Sequence, residues 1–422
     1  MSKRFLPSRT ALICFALSNC ALLAQPRELR FERISVEQGL SNFTVTSIVQ
    51  DRQGFLWFGT ADGLNKYDGY DFKTYKHDPA DSTGLPGQEV NCLIVDRAGT
   101  LWIGAGLRGR GLYRFDPDID GFAPFSSKAP LADSLARQVL GLIYEDRRGD
   151  FWFSTSAGLF RYQRATDALQ DFPPNSQDST ALNSKAINAV AEDRSGALWI
   201  GSAAGGVFRW EAETTRFKHF RLTSRSGNDA VPRKILEDRR GIMWVATTEG
   251  LYRLNRATGA FELMRTPHGI AFEHIVTLFE DSHGRLWIGT FGAGLWCYDV
   301  VADRFYQALH NPNDPNSLSS NRIEFIFEDR SGILWFATYR NGLNRYNRKQ
   351  EAFARYPFED AIYAVLEDRR GEIWLGTSSR GLLRFDCDGN LLRHYRHRDD
   401  DLHSLSSDNI MALRSDPVAP DD

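Results

Sequence analysis

One motif recurs along this chain and constrains its fold more than any other feature. The consensus is Asp-Arg-x-Gly-x-Leu-Trp, then Ile or Phe, Gly and Thr, followed after a few residues by Gly-Leu-x-Arg and an aromatic residue. Successive copies lie about 39 to 50 residues apart, which is the blade period of β-propellers. The copies are marked by Trp57, Trp102, Trp152, Trp199, Trp244, Trp287, Trp335 and Trp374.

Each copy contains the residues for four short strands. In the first copy, residues 44–49 are rich in β-branched side chains and predict the innermost strand. Residues 51–54 then predict a tight turn, because Asp bonds nearby backbone and Gly accepts positive φ. Further strands are predicted over residues 55–59, 64–67 and 72–75. The pattern therefore predicts an all-β propeller of four-stranded antiparallel blades, whose faces are buried by stacking in a ring.

The number of blades depends on the N-terminal segment. Residues 29–34 resemble an outer, fourth strand, and we expect them to complete the seventh blade. This predicts one closed seven-bladed propeller over residues 29–350, and the first blade and partial second blade of a truncated second propeller over residues 351–422. Residues 405–413 resemble a ninth inner strand, and the sequence ends before that repeat is complete. The alternative is a single eight-bladed propeller.

The first 24 residues are typical of an export signal peptide. Lys3, Arg4 and Arg9 precede a largely apolar run over residues 10–24, which is too short for an ordinary membrane-spanning helix. A lipoprotein signal ending at Cys20 is the alternative. Either signal predicts an exported protein.

Charge and cysteine content exclude several classes of protein. The formal net charge is −3, which gives no electrostatic support for a nucleic-acid partner. Cys92, Cys297 and Cys387 are far apart and lack the spacing of a zinc site or a disulfide framework. We expect them to be small buried hydrophobic residues, and we expect neither a metal nor another cofactor.

The regularity of the repeat argues against a catalytic role for its most prominent residues. A Trp present in eight copies indicates packing, and the recurring Glu-Asp pairs, such as Glu145-Asp146, indicate a turn. A catalytic carboxylate pair would instead be unique in the chain. We therefore expect no enzyme activity on this chain.

Residues that break the repeat are the better candidates for ligand binding. In propellers, the loops from strand four to the next inner strand and from strand two to strand three share one face. The irregular loop residues are Arg108, Arg110, Phe291, Tyr339, Arg340 and Asn341. A second variable position lies five residues before each turn Asp. We expect residues at this position to line the central channel, namely Asn91, Asn188, Arg233 and Glu324.

Three segments resemble the start of the two-component regulator propeller family: residues 34–41, residues 54–60 and residues 62–70. The resemblance covers nearly all of the chain from about residue 31 to residue 416. It implies an exported sensor with two seven-bladed propellers, a β-sandwich and a membrane helix. In the family, a histidine kinase or a diguanylate cyclase follows inside the cell. Many members respond to oligosaccharides. No sandwich, membrane helix or output domain is recognisable in this sequence.

The resemblance implies a periplasmic sensor module, normally tethered to the inner membrane, that binds a small molecule or an oligosaccharide. It also implies a homodimer in the full-length context, and membrane attachment only through a C-terminal helix. Two other functions stay open. One is a propeller enzyme acting on glycans, and the other is a protein–protein interaction scaffold.

Overall fold

The computed structural model describes residues 29–81, 83–106, 110–175, 177–224, 227–264, 274–348, 360–368, 370–386 and 391–414. The predicted signal peptide lies outside these residues. The chain divides into two compact units, residues 1–348 and residues 349–422.

The first unit contains seven four-stranded antiparallel sheets, each of which is one blade. Strands are given from the inner to the outer edge of each blade. Blade 1 consists of β2 (Val45–Gln50), β3 (Leu56–Thr60), β4 (Gly63–Tyr67) and β5 (Phe72–Tyr75). Blade 2 consists of β6 (Val90–Val95), β7 (Leu101–Ala105), β8 (Gly111–Asp116) and β9 (Gly121–Pro124). Blade 3 consists of β10 (Leu140–Glu145), β11 (Phe151–Thr155), β12 (Gly158–Gln163) and β13 (Ala168–Phe172).

Blades 4 to 7 repeat this order. Blade 4 consists of β14 (Ile187–Glu192), β15 (Leu198–Ser202), β16 (Val207–Glu211) and β17 (Arg216–Phe220). Blade 5 consists of β18 (Pro232–Glu237), β19 (Met243–Thr247), β20 (Gly250–Asn255) and β21 (Ala260–Leu263). Blade 6 consists of β22 (Ile275–Glu280), β23 (Leu286–Thr290), β24 (Leu295–Asp299) and β25 (Arg304–Ala308). Blade 7 consists of β26 (Ile323–Glu328), β27 (Leu334–Thr338), β28 (Leu343–Tyr346) and β1 (Glu32–Ile34).

Helix is nearly absent from the described residues. A 3₁₀ turn over Val36–Gln38 is capped by Ser35, and one short α-helix, α1, spans Ala132–Ala136. Within the described residues, no helix is long and apolar enough to cross a membrane. The predicted all-β propeller fold is therefore confirmed.

The first unit closes on itself. Each inner strand contacts the inner strand of the next blade, and β26 of blade 7 contacts β2 of blade 1. The N-terminal strand β1 pairs antiparallel with β28, with Arg33 opposite Asn344. Blade 7 thus takes three strands from the end of the unit and its outer strand from the beginning, which is the pairing expected from the sequence.

An Asp–Trp hydrogen bond is present in all eight copies of the motif. The indole Nε1 of each motif Trp donates to the carboxylate of the turn Asp six residues earlier, at 2.6 to 2.9 Å. The other carboxylate oxygen accepts backbone N–H groups of the turn. In blade 5, for example, Asp238 accepts from Ile242 at 2.8 Å. One carboxylate therefore joins the turn to the buried Trp, because both oxygens have partners.

The motif Arg residues connect neighbouring blades. At most junctions the Arg guanidinium donates to a carbonyl oxygen of the next turn, as from Arg97 to Arg147 at 2.6 Å and from Arg330 back to Arg52 at 3.1 Å. Its backbone N–H also bonds the Glu of the next blade, as from Arg147 to Glu192 at 2.8 Å. In blade 6, Ser282 replaces the Arg and bonds Glu328. We call this ring of bonds the turn belt.

We expect Asp238→Ala to destabilise the protein by about 2 to 3 kcal/mol, because the substitution leaves the indole N–H and the turn N–H groups unpaired in a buried site. Asp238→Asn retains an acceptor for the turn and should cost less. Chemical denaturation of both variants and the wild type checks the order, which equal stability of the two variants would contradict.

Closure of the ring predicts a stability effect at the N-terminal strand. Phe31 is 2% exposed and packs 5.7 Å from Phe336 and 5.8 Å from Tyr346, between ring centroids. We expect Phe31→Ala to cost about 3 to 5 kcal/mol and to accelerate hydrogen exchange in β28. Glu32→Ala, at an exposed neighbouring position, should change neither quantity by a comparable amount. Unchanged exchange in β28 of the Phe31 variant would contradict closure through β1.

The second unit contains one described sheet. Its strands, again from inner to outer, are β29 (Ile362–Glu367), β30 (Ile373–Thr377), β31 (Leu382–Phe385) and β32 (Leu391–Tyr395). Val365 is 64% exposed, whereas Ile48 at the same register position of blade 1 is 1% exposed. This sheet therefore carries apolar side chains that the blades of the first unit bury.

The predicted strand over residues 405–413 is wrong. The Ile410 N–H donates to Thr377 of β30, and the Asp408 carbonyl accepts from Gly381, which directly precedes β31, but no strand forms in this segment. An inner strand is stabilised by its hairpin partner, the second strand of its own blade. Among the described residues, no strand pairs with residues 405–413 in that way.

Two of the three cysteines behave as expected. Cys92 and Cys297 are free and buried, and Cys387 lies outside the described residues. Burial raises the thiol pKa of both to about 12. Because the thiolate is the reactive form, we expect neither to react with a thiol reagent at pH 8 until the protein unfolds. Rapid labelling of Cys92 or Cys297 in the native protein, read by peptide mass spectrometry, would contradict their burial.

Candidate functional site

One loop position differs between the blades and defines the candidate site. The residue after each second strand donates its N–H to the residue before the inner strand of the same blade, as from Phe291 to His274 at 2.9 Å and from Tyr339 to Arg322 at 3.0 Å. In blades 1 to 5 this position holds a small side chain: Ala61, Gly106, Ser156, Ala203 and Thr248. Only the neighbouring blades 6 and 7 of the first unit carry an aromatic residue there.

The two aromatic residues enclose an arginine. The Arg322 guanidinium lies 4.1 Å from the centroid of the Phe291 ring and 3.7 Å from that of Tyr339. Its Nε donates to the carboxylate of Glu324. We call Phe291, Arg322, Glu324 and Tyr339 the aromatic cluster. Cation–π attraction from two sides and one ion pair hold the guanidinium in place.

The aromatic cluster keeps an accessible surface. Phe291 is 52% exposed, and its ring lies 6.2 Å from that of His274. The Arg340 guanidinium is 5.0 Å from the Tyr339 ring centroid. The cluster therefore offers an apolar ring face, a cation and a carboxylate at one junction of the loop face.

Backbone conformation positions the Tyr339 loop. Arg340 has a φ of 58°, which is uncommon outside glycine and often occurs at functional loops. The Asn341 amide, oriented to satisfy its bonds, donates to the carbonyl oxygens of Tyr339 at 3.0 Å and Arg340 at 3.2 Å. Asn341 is thus engaged in holding the loop, while Arg340 is exposed.

Arg110, another of the predicted loop residues, does not lie at this junction. Arg110 belongs to blade 2, which neighbours neither blade 6 nor blade 7, and its backbone N–H bonds Gly106. Arg108 lies outside the described residues. Of the six loop residues named from the sequence, Phe291, Tyr339, Arg340 and Asn341 are those that the fold groups together.

The four predicted channel residues occupy one structural position. Each is the second residue of an inner strand, where the register shifts in a β-bulge. Asn91 donates to Leu140 at 3.1 Å, and Asn188 donates to Pro232 at 3.0 Å, so both amides tie their inner strand to the next one. Arg233 is exposed, and Glu324 belongs to the aromatic cluster. Lining of a channel by these residues stays a prediction.

Arg322 is the residue of this site that the sequence prediction missed. It stands directly before an inner strand, where earlier copies have Thr44, Glu89, Val139, Ala186, Val231 and His274. Comparison of that position between copies could have singled it out. Among the described residues, no group of three or more His, Cys, Asp or Glu side chains could hold a metal ion.

The fold and its repeats match a described protein family and several solved extracellular domains. The family described as two component regulator propeller matches six segments: residues 38–62, 84–106, 181–204, 269–292, 317–340 and 357–379. Six repeats of this chain match that family, and the resemblance drawn from the sequence is confirmed.

Solved structures with the same fold include extracellular domains from B. thetaiotaomicron. One, from a proposed hybrid two-component system, is 26% identical with a TM-score of 0.66, and the match covers 92% of this chain and 51% of that one. Another, from a proposed one-component system, is 21% identical with a TM-score of 0.63 over 92% and 50% of the two chains. This chain therefore spans about half the length of those domains.

Two further matches are more limited. A streptogramin B lyase is 17% identical with a TM-score of 0.54, over 76% of this chain and 97% of the lyase, which shows a shared propeller fold alone. Histidine kinase P4 of Formosa agariphila is 43% identical over 75 residues, 18% of this chain and 6% of that kinase.

Proposed function

We propose that this chain is the ligand-binding sensor region of an exported signalling protein, and that the aromatic cluster on blades 6 and 7 contacts the ligand. The observation that carries the proposal is the guanidinium of Arg322 between the rings of Phe291 and Tyr339. The family and the extracellular solved relatives support the sensor role.

An oligosaccharide is the ligand class that fits the aromatic cluster best. An exposed aromatic face such as Phe291 stacks on the apolar face of a sugar ring, and Arg340 and Glu324 supply donors and acceptors for hydroxyl groups. The cluster contains one positive and one negative side chain, so it suits a polar ligand that forms hydrogen bonds in several directions.

The same proposal covers the signalling activity of the full-length protein. The segment that is 43% identical to a histidine kinase favours phosphorelay signalling over diguanylate cyclase activity. We place the propeller in the periplasm and expect it to act in a homodimer anchored by a membrane helix, since kinases of this kind work in pairs.

The second unit is proposed to be the beginning of a second propeller. The exposed Ile362, Val365 and Leu391 on its sheet support this proposal, because stacking against another blade would bury them.

Alanine substitutions in the aromatic cluster test ligand binding. A heat-stabilisation screen of the purified protein against an oligosaccharide library identifies a ligand, since a molecule that binds only the folded state raises Tm. For that ligand, we expect Phe291→Ala and Tyr339→Ala each to weaken Kd about tenfold, equal to about 1.4 kcal/mol, by isothermal titration calorimetry.

Tyr70→Ala is the matched control. Tyr70 is 90% exposed and lies in the turn between β4 and β5, at the opposite face of the ring. We expect this variant to bind like the wild type. Equal affinity of all three variants would contradict the assignment of the site, and turnover of the glycan would favour a propeller enzyme instead.

A further inference from the structure

A cleft of about 650 Å³ opens between blades 4 and 5, away from the aromatic cluster. Lys218, Phe220, Phe261 and Gly259 lie on its wall. The volume is within the range of small-molecule pockets. Since the blades are copies of one motif, the equivalent junction between blades 1 and 2 shows what normally fills this space.

Between blades 1 and 2, the space is filled by a carboxylate. Asp120, in the turn between β8 and β9, pairs with Lys73 of blade 1. It also accepts a hydrogen bond from the Tyr75 hydroxyl at 2.7 Å. Phe115 packs on Trp57 from the same side, with 4.8 Å between ring centroids.

Three smaller residues stand at these positions between blades 4 and 5. Strand register places Lys218 where Lys73 stands and Phe220 where Tyr75 stands. Gly259 replaces Asp120, and Leu254 replaces Phe115. A Cβ on Gly259 would meet no atom within 4 Å among the described residues. The cleft thus includes the positions at which the junction of blades 1 and 2 holds an Asp side chain, a phenol hydroxyl and a phenylalanine ring.

Although Gly259 replaces Asp120, the lysine that would pair with that carboxylate is still present as Lys218. Lys218 is exposed, with Nζ 5.3 Å from the Phe220 ring centroid, and forms no ion pair within the described part of the chain. The other cations of the cleft have carboxylate partners: Arg209 pairs with Glu211, Arg221 with Asp229 and Arg256 with Glu237. Lys218 therefore lacks a carboxylate partner, while the Asp193 carboxylate that also lines the cleft accepts hydrogen bonds from Trp199 and from its own turn.

The walls of the cleft are aromatic. Phe220 packs 5.0 Å from Trp199, and Phe261 lies 6.2 Å from Phe220, between ring centroids. An anion alone would contact Lys218, but it would leave this apolar surface uncovered. A ligand that carries a carboxylate and an apolar group would contact Lys218 with the first and the aromatic walls of the cleft with the second.

We propose that the cleft between blades 4 and 5 binds a small carboxylate ligand, whose carboxylate takes the place of Asp120 opposite Lys218 and whose body packs on Phe220 and Phe261. This site is separate from the aromatic cluster, and its test does not depend on the proposed sensor ligand.

The experiment titrates the purified full chain with two carboxylates, phenylacetate and digalacturonate, and with their uncharged methyl esters. We expect at least one acid to bind more tightly than its ester. Lys218→Met should weaken that acid about tenfold and leave the weak binding of the ester unchanged. Gly259→Asp should abolish acid binding by supplying the missing carboxylate; Asp is tolerated at positive φ, as Asp120, Asp167 and Asp303 show.

Lys73→Met is the matched control, because Asp120 already occupies the equivalent space between blades 1 and 2. This variant should bind the acid like the wild type. The proposal would be overturned if neither acid bound, if acid and ester bound equally, or if Lys218→Met bound the acid as tightly as the wild type. Circular dichroism of each variant establishes that the fold is intact.

Discussion

The hydrogen bond from each motif Trp to the turn Asp six residues earlier is the interaction on which the rest of the ring depends. The indole must be buried between blades, and a buried N–H without an acceptor is costly. The Asp carboxylate supplies that acceptor and simultaneously accepts N–H groups of its own turn, as Asp238 does for Ile242 and Trp244. Core packing and turn conformation are therefore specified by one side chain in every blade.

The turn belt extends this local unit into a closed ring. Each bond in the belt is partly exposed, so its contribution is modest. Repetition around the ring and closure from Arg330 to Arg52 make the turn face nearly invariant. The loop face is also tied between blades, as by the bonds from Gly63 N–H to the Gln88 carbonyl at 2.6 Å and from Gly342 N–H to the Phe43 carbonyl at 2.9 Å, but these bonds use backbone atoms and do not fix the side chains. There the repeat can change without loss of the fold, as the aromatic residues at Phe291 and Tyr339 show.

Most of the fold could be predicted from the sequence because its determinants are local. The period of the motif identifies the propeller, and strand β5, Phe72–Tyr75, matches the residues predicted for it. The failure concerns a strand whose formation depends on a partner strand. Residues 405–413 have the composition of an inner strand but lack a hairpin partner among the described residues. The composition of a segment does not show whether a partner strand is available to pair with it.

The candidate sites, like the fold, could be predicted from the sequence only in part. Phe291 and Tyr339 stand out because they break the repeat, but their contact with Arg322 depends on loops of two different blades. The cleft between blades 4 and 5 arises from the absence of side chains, at Gly259 above all, and a glycine in a turn gives no signal of its own. It becomes visible only when the junction is compared with that between blades 1 and 2.

Hydrogen exchange of the full chain, with and without a mixture of oligosaccharides from polysaccharide digestion, tests most directly whether function resides in the residues that depart from the repeat. We predict slower exchange on ligand addition at residues 290–294, 320–324 and 338–342, with no change in the eight Asp–Trp turns. Slowing confined to those turns, or an exchange pattern that the oligosaccharides leave unchanged throughout the ring, would contradict that assignment.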